Sequence, residues 1–224
     1  MPKTLTIFYA TPVIIGLISS LAKEILPEGT VVRNVLDDSI LADTKKHGHL
    51  TKDITRRLVG YVQHAEAYGS DCLLLTCSSE SAALDVARTV VNIPTIKINE
   101  PMAEEAVKRG DRVAVLSTVQ AALAPTEDLL KQAKASVSVD KVWCEGAAGA
   151  LGKGDVELSN RLLAEQIERA AATHDVVVLA QASMAIVLPV LSDALKQKVL
   201  TSPRLGLERT AQVLRGLEAD SRKS

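Results

Sequence analysis

Two short stretches of the chain match each other: Asp71-Cys-Leu-Leu-Leu-Thr-Cys77 and Asp175-Val-Val-Val-Leu-Ala-Gln181. In each, an Asp precedes a run of five mostly apolar residues, and a polar residue stands six positions after the Asp. Small or hydroxyl residues then follow, as at the opening of a helix. Apolar runs without polar alternation are typical of strands that helices cover on both faces. The match therefore predicts two similar halves, each with a buried strand.

The rest of the chain alternates between such runs and longer segments of helical period. This βα alternation predicts an α/β fold with mainly parallel sheets. The predicted strands are Leu5–Tyr9, Val31–Leu36, Cys72–Thr76, Thr95–Ile98, Arg112–Ser117, Val137–Trp143, Val176–Ala180 and Val199–Thr201.

A second pair of strand ends also matches, Phe8-Tyr-Ala-Thr11 with Val115-Leu-Ser-Thr118. We therefore expect two pseudo-symmetric lobes, each a mainly parallel sheet flanked by helices. The first lobe is predicted to comprise residues 1–97 and 203–224, and the second residues 98–202. Ligands of open α/β sheets bind beyond the carboxyl ends of the strands, so we expect an active-site cleft between the lobes.

Apolar stripes and capping residues indicate the helices. One stripe is Ile54, Leu58, Val62 and Ala65, and another runs from Leu158 to Ala171. Asp155 is predicted to cap the second of these helices. We expect Ser202 to cap the last helix, with Pro203 at its first position. Pro12 and Pro101 fit the starts of two further helices.

Composition excludes several classes of function. The 26 basic and 27 acidic side chains give a net charge of −1, and aromatic residues make up 2%, so neither a phosphate-binding surface nor a base-stacking platform for nucleic acid is expected. No apolar run approaches the roughly 18 residues that span a bilayer. The three cysteines form no CxxC pair, and we expect a reduced, cytoplasmic protein.

Cys77 is the strongest candidate for chemistry. It stands where a strand is predicted to stop and a helix to begin, and unpaired N–H groups at a helix N-terminus lower the pKa of a thiol. The thiolate is a base or a nucleophile, and Ser78 and Ser79 could donate hydrogen bonds to a substrate carboxylate. A buried cysteine followed by two capping serines explains the segment equally well.

Thr11, Ser117 and Thr118 carry hydroxyls at other strand ends. Taken singly, each fits a helix cap better than a binding role, and their functional value depends on converging on Cys77. Cys72 and Cys144 are expected to pack rather than react.

No cofactor or metal is predicted. The segment from Gly146 to Gly154 lacks the residues of a phosphate-binding loop, and we expect it to be a flexible loop. His47 and His49 have no third ligand at a convincing spacing.

Taken together, these residues resemble the aspartate/glutamate/hydantoin racemase superfamily. The resemblance rests on Asp71 to Ser79, on Ile93-Pro94 with Glu100-Pro101, and on Arg112 to Thr118. It implies that Cys77 is the first of two catalytic cysteines. The second would fall within Leu179-Ala-Gln181-Ala-Ser183-Met184, where Gln181 takes its place beside Ala182 and Ser183.

This replacement shapes the expected chemistry. A carboxamide donates and accepts hydrogen bonds but does not exchange a proton near neutral pH. The resemblance also extends to single-thiol arylmalonate decarboxylases and maleate isomerases. It implies a cofactor-independent isomerase or racemase-like enzyme acting on a small carboxylic acid, and homo-oligomerisation. A decarboxylase or other C–C lyase, and a non-catalytic small-acid-binding or regulatory protein, remain alternatives.

Overall fold

The computed structural model describes residues 2–221. The chain divides into two units. One contains the described residues up to Ile98 together with those from Pro203 onward, and the other is Asn99–Ser202. Each unit is built on its own sheet.

The two sheets have the same topology. All eight predicted strands form, and their ends differ from the predicted ones by at most one residue. The first sheet has the parallel order β2-β1-β3-β4 and the second the parallel order β6-β5-β7-β8. The strands are β1 (Thr4–Tyr9), β2 (Val31–Leu36), β3 (Cys72–Leu75), β4 (Thr95–Lys97), β5 (Arg112–Ser117), β6 (Ser138–Trp143), β7 (Val176–Leu179) and β8 (Val199–Thr201).

Helices connect and flank these strands. The α-helices are α1 (Ile15–Ile25), α2 (Asp38–His47), α3 (Lys52–Ala67), α4 (Ser81–Ala87), α5 (Glu100–Arg109), α6 (Leu123–Ala133), α7 (Ala147–Gly152), α8 (Val156–Thr173), α9 (Asp193–Lys198) and α10 (Ser202–Ser221). Short 3-10 helices span Pro12–Ile14, Gln120–Ala122 and Ala182–Val190. The fold class predicted from the sequence is therefore confirmed as two parallel α/β sheets flanked by helices.

The inner strands are buried, and each sheet has one exposed edge strand and one mostly buried edge strand, β4 or β8. Every residue of β3 and β7 is buried, whereas the edge strands β2 and β6 are largely exposed. Alternate residues of the inner strands, such as Leu73 and Leu75 in β3 and Val177 and Leu179 in β7, pack with the helices on one face of each sheet. The residues between them, such as Leu74 and Val178, are buried as well. The unbroken apolar runs therefore mark the inner strands, as their composition predicted.

The two matching Asp residues have the same structural role. Asp71 accepts a hydrogen bond from the backbone N–H of Thr4 at 2.7 Å and pairs with Lys3. Asp175 accepts hydrogen bonds from the backbone N–H groups of Asp111 and Arg112, at 3.2 and 2.9 Å. Each carboxylate thus ties the start of its own strand to the start of the neighbouring inner strand. This role accounts for the Asp at the head of both stretches.

Most of the expected helix signals are confirmed. The stripe of Ile54, Leu58, Val62 and Ala65 is buried in α3, and Asp155 caps α8 by accepting a hydrogen bond from the N–H of Leu158. The expectation for Ser202 is wrong. Ser202 is the first residue of α10 and not the residue before it. Its hydroxyl is buried and makes no hydrogen bond within the described part of the chain.

The glycine-rich segment is also not the loop that was expected. Residues Ala147–Gly152 form α7, whose Ala147 and Ala150 are buried. Gly146 and Gly154 flank it with φ angles of 84° and 82°, in the left-handed region that glycine tolerates best. Glycine therefore brackets a short helix here. Within residues 2–221, no helix is both long and apolar enough to cross a bilayer.

Candidate active site

Cys77 lies just beyond the carboxyl end of the inner strand β3. It is half-buried and packs against the core cluster of the first unit. The two serines that follow it are buried, and α4 begins only at Ser81. Three residues therefore separate Cys77 from the helix, and its thiol is not at the helix N-terminus as the sequence suggested.

The predicted fall in the pKa of Cys77 is wrong in direction. Burial raises the pKa of this thiol well above its ordinary value, and the neighbouring carboxyl group of Glu80 raises it further. A backbone hydrogen bond from Ser79 and the positive charge of Lys45 oppose the rise without overcoming it. Because burial disfavours the thiolate, Cys77 is a protonated thiol at rest.

Glu80 is a residue that the sequence analysis missed. Its side chain is 0% exposed, and burial raises its pKa. Within the described chain, neither of its carboxyl oxygens makes a well-formed hydrogen bond. One signal was available in the sequence: Glu80 is the single acidic residue in the otherwise small and apolar stretch Ser78–Leu84.

In the second unit, the carboxamide of Gln181 lies in a cluster of hydrogen-bond donors. Its Oε1 accepts hydrogen bonds from the N–H of Thr118 at 2.7 Å and from the N–H of Val119 at 3.1 Å. The hydroxyl of Thr118 donates to the same atom at 2.8 Å. The Ser117 hydroxyl lies 2.9 Å from it and shares its one proton with the carbonyl oxygen of Val119 at 2.7 Å. We call these four donors the Thr118 donor cluster. Gln181 follows β7 and the cluster follows β5, so the adjacent ends of two parallel strands bring them together.

This contact fixes the orientation of the amide group. The backbone N–H groups of Thr118 and Val119 can only donate, so the group that faces them must be Oε1. The Nε2 group of Gln181 then points away from the cluster and keeps its N–H donors for another partner. Gln181 is thus held as a hydrogen-bond donor, and its amide does not act as an acid or a base near neutral pH.

The remaining predicted site residues have varied positions. Thr11 caps the turn Pro12–Ile14 by accepting a weak hydrogen bond from Val13 at 3.4 Å. It follows β1, the strand beside β3, so it lies at the same edge of the sheet as Cys77. Ala182 is buried and Ser183 is half-buried in the 3-10 helix after Gln181. Contacts thus join Ser117, Thr118 and Gln181, whereas Thr11 acts as a cap.

The other two cysteines are packed in the core, as expected. Cys72 is 0% and Cys144 2% exposed, and burial raises their pKa to about 12 and about 11. Neither thiol is available for chemistry near neutral pH.

No metal centre emerges from the geometry. Over residues 2–221, no group of three or more His, Cys, Asp or Glu side chains is placed to hold a metal ion. A cavity of about 580 Å³ in the first unit lies between β1, β2 and α3. None of the predicted site residues lines it.

Comparison with known families decides the classification. Residues 11–210 match the family described as Asp/Glu/Hydantoin racemase. The chain belongs to this family. A search of curated proteins returns no match.

Solved structures of racemases share the fold. A glutamate racemase isoform from Bacillus anthracis superposes with a TM-score of 0.72 at 16% identity, covering 96% of this chain and 82% of that one. Allantoin racemase from Klebsiella pneumoniae gives a TM-score of 0.73 at 16% identity, covering 96% and 89%. The aspartate racemase of Picrophilus torridus gives 0.70 at 14% identity, covering 95% of each chain. Family and fold together support an enzyme of the racemase or isomerase type.

Proposed function

We propose that this member of the racemase family is a cofactor-independent isomerase that moves a proton at the carbon next to a carboxyl group of a small carboxylic acid. The observation that carries the proposal is the position of Cys77, directly beyond the carboxyl end of an inner strand and beside a second titratable group, Glu80. Parallel α/β sheets bind their ligands at this edge. A thiol there can give a proton to a carbanion or, once ionised, remove one.

Gln181 has a different task in this proposal. With its Oε1 held by the Thr118 donor cluster, its Nε2 group donates a hydrogen bond to an oxygen of the acid. Such a bond strengthens as negative charge develops on that oxygen in the enolate, and removing one donor of this kind typically raises the barrier by about 2.7–4 kcal/mol.

A single thiol limits the reaction to one face of the substrate carbon. The Cys77 thiolate removes the proton, and the electron pair of the broken C–H bond remains in the enolate. The same thiol then returns the proton. Return of the proton to the same carbon restores the substrate with its hydrogen exchanged, whereas return to another carbon of a conjugated enolate gives an isomer. Attack of the thiolate on a double bond, followed by rotation and release, is the alternative isomerisation open to the same residue.

Two other functions remain candidates for specific reasons. A decarboxylase or other C–C lyase needs one proton donor for the carbanion, and Cys77 at rest carries that proton. A binding or regulatory protein is favoured by the raised pKa of Cys77 and by Gln181 in place of a second thiol. These functions differ in what they release from the substrate.

One experiment separates the three. The protein is incubated in D2O with a panel of small amino, hydroxy, keto and unsaturated dicarboxylic acids, and deuterium at the substrate carbon, isomer formation and CO2 release are followed together. Deuterium uptake or isomerisation supports the proposal, and CO2 release supports the lyase. Binding of a panel acid without exchange or turnover supports the regulatory function and contradicts the proposal.

A further inference from the structure

The buried carboxyl group of Glu80 calls for an explanation that packing does not provide. Its side chain is 0% exposed, and neither oxygen makes a well-formed hydrogen bond among the described residues. Burying an ionised carboxylate without partners is costly, and the group responds by taking up a proton. An apolar side chain or a glutamine would fill the same volume without that cost.

The polar groups that act on the Glu80 carboxyl are the thiol of Cys77, the hydroxyl of Thr44, the backbone N–H of Glu80 itself and the positive charge of Lys45. Thr44 directs its hydroxyl proton to the carbonyl oxygen of Ile40 at 3.0 Å, so its proton is already used within α2. The thiol of Cys77 is then the neighbour with which Glu80 can exchange a proton.

A thiol that acts as a base needs a second group to carry its proton. The amide of Gln181 does not exchange protons, and Cys72 and Cys144 are buried and protonated. A buried thiol that is to act as a base must first give its own proton to another group. Glu80 is the neighbouring carboxyl group that can accept this proton.

We propose that Glu80 is a positioning residue that takes up and returns the proton of the Cys77 thiol. This inference rests on the proposed function and deepens it. Once the pair has lost one proton, the remaining one moves between sulfur and carboxylate. The thiol S–H bond breaks, an O–H bond forms on Glu80, and the thiolate faces a neutral acid rather than a second anion. The thiolate then takes the substrate proton, forming S–H and leaving the electron pair in the enolate.

The test measures the Cys77 thiol directly. The rate of Cys77 alkylation by iodoacetamide is followed by mass spectrometry of the Cys77 peptide across a range of pH, for the wild-type protein and for Glu80→Gln. The glutamine keeps the volume but removes the negative charge that raises the pKa of Cys77. We expect the alkylation profile of Glu80→Gln to move to lower pH. We also expect its deuterium exchange on a panel acid to fall, on the order of 10²-fold.

Two variants serve as controls. Glu80→Asp keeps a titratable group at the site. It should recover part of the deuterium exchange rate and move the alkylation profile back toward that of the wild type. Glu105→Gln changes an exposed pair with Arg109 in the second unit and should leave the Cys77 profile unchanged. A merely structural role for Glu80 would not make the thiol easier to ionise while making the enzyme slower.

The outcomes are distinct from those of the proposed function. An unchanged alkylation profile in Glu80→Gln overturns the inference, whatever the panel shows. No alkylation of Cys77 at any pH also overturns it, since a thiol closed to a small reagent cannot meet a substrate. A shifted alkylation profile with undiminished deuterium exchange shows that Glu80 changes the pKa of Cys77 but does not accept its proton during the reaction. That result contradicts the proton-transfer role.

Discussion

The Oε1 atom of Gln181 accepts a hydrogen bond from the backbone N–H of Thr118 at 2.7 Å. Three more donors, the hydroxyls of Ser117 and Thr118 and the N–H of Val119, converge on the same oxygen. Four donors around one oxygen atom is a density that suits an anion better than a neutral amide. Gln181, the residue that replaces the expected second cysteine, therefore also stabilises the second unit through these hydrogen bonds.

Replacing Gln181 with Leu should reduce stability as well as activity. The substitution leaves the backbone N–H and the hydroxyl of Thr118 without their acceptor, at a cost of about 1–3 kcal/mol in the free energy of unfolding. The Val119 N–H and the Ser117 hydroxyl keep acceptors within the same turn. Urea denaturation measures this cost. Gln197→Ala, at an exposed position in α9, is the control and should change stability by less than about 0.5 kcal/mol. Equal stability of both variants would contradict the importance of the donor cluster.

Gln181→Glu should separate stability from function. The new carboxylate provides an acceptor that matches four donors, so the free energy of unfolding at neutral pH should stay at or above the wild-type value. The Nε2 donor is lost, however, so binding and turnover of the acid should fall, with an expected loss of about 10²-fold in kcat/KM. A folded Gln181→Glu protein with undiminished kcat/KM would show that the amide does not contact the substrate.

Asp37 should make stability depend on pH in the acidic range. Burial opposes ionisation of Asp37, but hydrogen bonds from Ser39, Arg57 and Tyr61 outweigh it and hold its pKa below the usual value. Stability from a carboxyl group with a lowered folded pKa is present above the unfolded pKa of about 3.9 and is lost as pH falls through the folded pKa.

Asp37→Asn should therefore cost about 1 kcal/mol at pH 7 and show a smaller loss of stability than wild type on acidification. Urea denaturation at pH 7 and at successively lower pH values tests this. Asp53→Asn is the matched control, because the Asp53 side chain is 83% exposed. If Asp37→Asn and Asp53→Asn follow the same pH dependence, the account of Asp37 fails.

Two glycines of α10 should respond to alanine in opposite directions. A Cβ atom at Gly206 would lie 2.6 Å from Cγ1 and 2.9 Å from the carbonyl oxygen of Ile98, whereas one at Gly216 meets nothing within 4 Å. Gly206→Ala should destabilise the protein by about 1–3 kcal/mol. Gly216→Ala should stabilise it by roughly 0.5–1 kcal/mol through helix propensity. Thermal denaturation of both variants tests this. A Gly206→Ala protein that is more stable than Gly216→Ala would contradict the packing of α10 against Ile98.

The fold was predictable from the sequence because its signals are local. The unbroken apolar runs of β3 and β7 mark inner strands, and the preceding Asp residues tie each run to its neighbour through backbone N–H groups. The exposed edge strand β2 was also found, because Val31–Leu36 is a short run rich in β-branched residues. The predictions for Ser202 and for the glycine-rich segment that forms α7 were wrong. Capping and helix formation there depend on packing, which a local sequence pattern does not report.

The site was less predictable for a related reason. The contact of Thr118 with Gln181 follows from the adjacency of β5 and β7, so the sequence could place both residues at one edge. The pKa of Cys77 depends on how deeply the chain beyond β3 is buried and on a carboxyl group three residues later. Residue spacing does not give burial, so the direction predicted for the pKa of Cys77 was wrong and Glu80 was not identified.

The central claim is that the Cys77 sulfur exchanges a proton with the carbon next to a carboxyl group. Its most direct test is the rate of deuterium incorporation from D2O into the best acid of the panel, compared among wild type, Cys77→Ser and Cys72→Ala. Cys72→Ala is the control, since Cys72 is buried at the start of β3 and takes no part in the proposed chemistry. The account predicts that a folded Cys77→Ser protein loses exchange while folded Cys72→Ala keeps it. Exchange at the wild-type rate in Cys77→Ser would contradict the claim.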